Sequence, residues 1–190
     1  MAARPRITVL CVGKLRESFW RDAAAEYGKR LGGLTSKFET IEIEEEPVAE
    51  VSSAREGIRI LAKIPERALI VVCDGAGETL SSESLSARFE RACVEGDGHL
   101  TFVIGGSEGL SEAVKERADL LLSLGPMTFP HQLLRVMLLE QVYRALQPMP
   151  AHGAGTVQRG ILADPGVGKT IGHDAGKFIG DALFRRCLGA

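Results

Sequence analysis

The sequence predicts an α/β fold built on an open, mostly parallel sheet. Two observations carry this. Short apolar, β-branched runs alternate with helix-like stretches about five times, the pattern of successive βα units. The 190 residues are long enough for one full-sized core.

The elements follow in order. "ITVLCVG" (Ile7–Gly13) is a buried strand ending in glycine. Ser18–Leu31 is a helix in which Phe19, Ala23, Tyr27 and Leu31 share a face, with Ser18 as its N-cap. "FETIEI" (Phe38–Ile43) alternates as a half-exposed strand does. Val48–Ile64 contains a helix that stops before Pro65. "ALIVVCD" (Ala68–Asp74) is a buried strand, and Ser81–Val94 a capped helix with Glu83 favourably placed in its first turn. His99–Gly106 is a strand, Ser111–Ala118 a short helix, and Asp119–Gly125 a strand. Pro130–Gln147 is a long helix with proline in its first turn. That last helix is apolar nearly all round, which requires burial on several sides. One side faces the sheet, and the remainder predicts a homodimer through residues 130–147.

In parallel sheets ligands sit at the carboxyl ends of strands. This brings Cys73–Gly77, Gly105–Gly109 and Leu124–Phe129 towards one site. "VIGGSEGLSEAV" (Val103–Val114) lacks the G-x-G-x-x-G spacing of a dinucleotide loop and follows a late strand. It reads equally as a tight turn or as backbone lying flat against a ligand. "ADPGVGKT" (Ala163–Thr170) resembles a phosphate loop but lacks its first glycine. Too little chain follows it for a strand carrying a magnesium-binding acid, so it reads as a chance match.

Composition narrows the class. A net charge of -2 argues against a general binder of free nucleic acid, while leaving room for a local basic patch. The four cysteines form no C-x-x-C pair, which points to reduced thiols in a cytoplasmic protein. The start shows no apolar signal core, and no run approaches the roughly 18 apolar residues of a membrane span. Among polar residues, His131 opens the last helix and is a candidate base or RNA contact. Arg135 and Arg144 lie on that apolar helix and need partners, either Glu140 or an RNA phosphate. Lys14, Arg16 and Arg21 form a basic cluster after the first strand that reads as a solvated face.

"VGK" (12–14), "LSSE" (80–83), "FVIGGSEGLSE" (102–112) and above all "LSLGPMTFPHQLLRVMLLEQVYRA" (122–145) together resemble the RlmH family. These are SPOUT-class methyltransferases that modify pseudouridine in bacterial large-subunit (23S) ribosomal RNA. The resemblance spans residues 7–146 and implies a C-terminal deep trefoil knot, among the rare exceptions to unknotted folds. It implies S-adenosylmethionine as cofactor, held at Cys73, Gly105, Leu124, Gly125, Pro126, Met127, Thr128 and Phe129. It also implies a homodimer acting at pseudouridine N3 on the assembled ribosome, with His131 as candidate catalytic residue and Arg135 and Arg144 as candidate RNA contacts.

The chain departs from the family in three places. Ala76 stands where arginine is usual, and Gly125-Pro126 stand for Ser-Lys. The family's closing Pro-Tyr-His segment is missing, and a glycine-rich stretch over 148–190 replaces it. The expected organisation is therefore a methyltransferase domain over 1–147 and a poorly ordered tail. The missing end implies impaired transfer. The alternative reading is a catalytically inactive SPOUT-fold protein that binds the ribosome or RNA.

Overall fold

A computed structural model describes residues 4–147. The tail, with the phosphate-loop look-alike, lies outside the described residues. The elements are β1 (Arg6–Val12), α1 (Ser18–Leu34), β2 (Lys37–Ile43), α2 (Ala49–Leu61) and β3 (Leu69–Thr79). They continue as α3 (Ser82–Glu95), β4 (His99–Ile104), α4 (Glu112–Lys115), β5 (Leu120–Ser123) and α5 (His131–Leu146). The strands form one 5-stranded sheet in the order β2-β1-β4-β3-β5. Every neighbouring pair is parallel, so the expected mostly parallel sheet is wholly parallel.

Both faces of the sheet are covered, which is why β1 and β4 are apolar on successive residues. On one face Ile7, Val9, Phe102 and Leu122 pack with Leu31 of α1, Phe89 of α3, and Leu138 and Val142 of α5. Phe89 meets Phe102 edge-on, with ring centroids 5.4 Å apart. On the other face Leu10, Val72 and Val103 pack with Ile60 of α2 and Val114 of α4. Each such fully buried side chain contributes about 1.5–3 kcal/mol.

Helix starts differ in how they are satisfied. Ser18 is the first helical residue of α1, not its cap; Glu17 occupies the cap position and makes no side-chain cap bond. Ser81 does cap α3, accepting from the Ser84 amide at 3.2 Å. Ser81→Ala is expected to lower stability by about 1 kcal/mol, a loss thermal unfolding would register.

α5 accounts for much of its apolar surround inside the chain. It packs against α1, α3 and the sheet. Arg135, Leu138, Leu139, Val142 and Ala145 are buried there, and Leu134, Tyr143 and Leu146 lie against the same core. Leu133, Val136 and Met137 are half-buried. No helix among the described residues is long and apolar enough to cross a membrane.

Candidate functional site

β4, β3 and β5 are sheet neighbours, so their carboxyl ends open side by side. The loops that follow them, with the start of α5, enclose a cleft of about 500 Å³. Cys73, Gly105 and the whole run Leu124–Phe129 line it, as does His131. Residues from three separate strand ends thus share one cavity.

The glycines divide by role. A Cβ added at Gly75, Gly109 or Gly125 would meet no atom within 4 Å, so a ligand has open room against those backbones. Gly109 (φ 76) and Gly125 (φ 130) also sit in the left-handed region that glycine favours. Ser123 braces the second turn: its Oγ accepts from the Gly125 amide at 3.3 Å and donates to the Gly125 carbonyl at 3.1 Å. Gly105 is different. Its Cβ would fall 2.8 Å from Leu110 Cγ and 3.0 Å from the Gly109 carbonyl oxygen. The loop closes on itself there, with the Gly109 amide donating to the Gly106 carbonyl at 3.2 Å. The loop is therefore a tight turn whose outer backbone is also a cleft wall.

The electrostatics are distinctive. Among the described residues no lysine or arginine lines the cleft. The one acid among its described lining residues is Asp74, fixed by the Ala76 amide at 2.8 Å and by Lys115 Nζ of α4 at 3.3 Å. Lys115 also pairs with Glu112 at 3.1 Å, and its hydrogen bonds to Glu112 and then Asp74 raise its pKa. Burial pushes the Cys73 thiol up to about 12, so it is a neutral, apolar wall. Sequence reading did not single out Asp74 or Lys115. An acid closing an apolar strand was visible, but its partner comes from a helix far along the chain.

His131 stands where the cleft meets the β1–α1 loop. Its Nε2 lies 3.6 Å from where a Gly13 Cβ would sit, and Glu45 Oε2 lies 3.7 Å from the same point. That loop is stitched to α5 by the Arg16 amide, which donates to Gln132 Oε1 at 2.9 Å. Arg16 also pairs with Glu45 at 3.1 Å, and Arg21 Nη1 donates to the Leu15 carbonyl at 3.2 Å. Lys14, Arg16 and Arg21 are all exposed, as a solvated face requires, and Arg16 and Arg21 also brace their own loop.

Arg135 needs correcting as a candidate RNA contact. It is 2% exposed, and its guanidinium donates to Glu42 Oε1 at 2.9 Å and to the Gly13 carbonyl at 2.8 Å. A phosphate has no access to a group so enclosed. Arg144 is exposed and pairs with Glu140, the i,i+4 partner its spacing offers.

Fold and cleft together define an α/β protein whose candidate ligand site lies at the carboxyl ends of a parallel sheet. Residues 6–152 match the family described as Predicted SPOUT methyltransferase. The chain belongs to this SPOUT methyltransferase family.

Proposed function

We propose that this chain is an S-adenosylmethionine-dependent methyltransferase acting at N3 of a pseudouridine in 23S ribosomal RNA, on the assembled ribosome. The observation that carries the cofactor assignment is a nucleoside-sized cleft with mostly apolar walls, one fixed acid and, among the described residues, no lysine or arginine in its lining. A nucleoside di- or triphosphate would find no cation in that lining to offset its charge, and Lys115 beside it is already held by Asp74 and Glu112. A phosphate-free nucleoside bearing a cationic sulfonium matches it.

When bound, S-adenosylmethionine supplies an electrophilic methyl group. The backbone of Leu124–Phe129 and the open glycines hold the nucleoside, and Asp74 faces the cationic end. The target nitrogen lies between two carbonyls and is a weak acid, so it must lose a proton to attack. We assign proton removal to His131, at the cleft rim. General-base help of this kind is worth about 10²–10⁴-fold, and alignment of the two reactants contributes more. Exposed Lys14 and Arg144 are the cations we assign to RNA phosphates. The half-buried Leu133, Val136 and Met137 support a homodimer through α5, which sedimentation would test. The knot belongs to this same assignment.

Titration calorimetry with S-adenosylmethionine and ATP tests the site. Binding of the first and not the second is expected, with Asp74→Asn weakening it about tenfold. Preference for ATP would refute the assignment. Methyl transfer to ribosomes lacking the modification tests the substrate.

One observation favours the inactive reading. The chain has 2 tyrosines, Tyr27 and Tyr143. Their ring centroids lie 6.3 Å apart, packed on the core beside α1 and α5, and neither lines the cleft. Cofactor binding and ribosome co-sedimentation without methyl transfer would establish that reading. Grafting a Pro-Tyr-His end after Leu146 should then restore transfer.

A further inference from the structure

The buried stripe of α2 is Ser52, Glu56, Gly57 and Ile60, which places a carboxyl in the middle of a packed helix face. Glu56 is 3% exposed. Its Oε1 accepts from the Glu46 amide at 2.9 Å, and its Oε2 has no hydrogen-bond partner. That orphaned oxygen lies behind the glycine loop: a Cβ added at Gly106 would sit 2.9 Å from Glu56 Oε2 and 3.0 Å from Val12 Cγ1. The next residue seals the contact further along. A Cβ at Gly57 would fall 2.2 Å from Ser111 Oγ, so α2 lies flush on the chain entering α4. Glu46 is itself anchored to α2 through Arg55 at 3.2 Å and Arg59 at 3.1 Å. One carboxyl therefore lies against Gly106 of the glycine loop and is bonded to the β2–α2 loop.

We propose that Glu56 is a positioning residue for the cleft: its carboxyl, wedged between Gly106 and the Glu46 amide, holds the glycine loop in place from behind. The role in cofactor binding rests on the cleft being the cofactor site; the role in holding the loop does not.

The chemistry of the wedge has a sign. An anion with a buried, donorless oxygen is costly, so burial works against the ionised form. Burial raises the Glu56 pKa above 4.5; the Glu46 amide opposes this, the Glu45 and Glu46 charges add to it, and Arg59 lowers it. Those are the charged groups facing it, since Val12 and Gly106 bring none. Both forms of the chain bind the proton well below 4.5, so Glu56 costs nothing there. As pH rises above that value the unfolded chain ionises first, and the native state loses stability relative to it until the folded carboxyl also ionises.

Hydrogen exchange of the ligand-free protein is the first test. Glu56→Ala is expected to speed exchange of the Gly109 amide, which closes the loop on Gly106, by about tenfold relative to Phe102 in β4. Glu56→Gln, neutral and of equal size, is expected to stay within about twofold of the parent. Equal effects of Glu56→Ala on both amides would overturn the proposal. Calorimetry with S-adenosylmethionine from acid to neutral pH is the second test. The parent is expected to lose affinity relative to Glu56→Gln as pH rises. Parallel profiles would overturn the proposal even if Glu56→Ala does not fold. A parent that binds no S-adenosylmethionine at all would refute the cofactor assignment, and the exchange result would still decide whether Glu56 holds the loop.

Discussion

Gly77→Ala is expected to destabilise the domain by about 3 kcal/mol, at the upper end of overpacking effects, and to abolish measurable cofactor binding. β3 pairs with β5 through Cys73↔Leu122, then shifts register and resumes at Glu78↔Leu122. The residues between bulge out, and Gly77 brings its backbone onto the partner strand. An added Cβ would lie 2.6 Å from the Leu121 carbonyl carbon, 2.7 Å from its oxygen and 2.7 Å from the Leu122 nitrogen. A flexible side chain would yield; these are backbone atoms of a paired strand, so the strands themselves must part. The cleft takes Asp74 and Gly75 from one side of this contact and Leu122–Phe129 from the other, so its two walls move together with the strands. Thermal unfolding should fall by roughly 10 °C for a domain of this size. A melting temperature unchanged within a degree or two would show that the bulge has slack.

Arg135→Ala is the second large expected loss, again about 3 kcal/mol. Truncation strips the buried Gly13 carbonyl of its donor, removes the partner of Glu42 and leaves a void beneath α5. Glu42 is open enough to recover water, with its side chain 38% exposed, which keeps the loss below that of a fully buried pair. Arg135→Met should recover much of it. The buried Arg135 Nε has no partner, so an apolar chain of similar volume relieves one unsatisfied donor while refilling the space. His131 stands one turn earlier on α5 beside Gly13, so transfer should fall with stability in the alanine variant. Chemical denaturation and RNA binding at several salt concentrations separate the possibilities. Unchanged stability with a reduced salt slope would instead place the guanidinium on a phosphate.

Much of the fold was legible because burial on both faces leaves a plain mark. β1, β4 and the start of β3 are apolar runs that hardly admit another element, and their alternation with helices requires parallel strands. The second half of β3 was not legible. "DGAGET" reads as turn by composition, and Asp74 looks like the strand's end. It continues to Thr79 because Glu78 and Thr79 find Leu122 and Ser123 across the register shift. Such pairing depends on what lies alongside. For the same reason β5 shrank to Leu120–Ser123, and Leu124 and Gly125 went to the cleft.

The sequence by itself determined the alternation of elements, the strand ends at which a site would form, and the i,i+4 pairing of Arg144 with Glu140. These follow from periodicity and neighbours a few residues away, which the chain order states directly. Only the tertiary structure decided that Arg135 faces inward to Glu42, that Lys115 pins Asp74, and that Glu56 backs the glycine loop. Each joins groups far apart in the chain, and a charged residue looks the same in sequence whether it faces water or a buried partner. Burial sets its cost and therefore its role, and burial is a property of the packed whole.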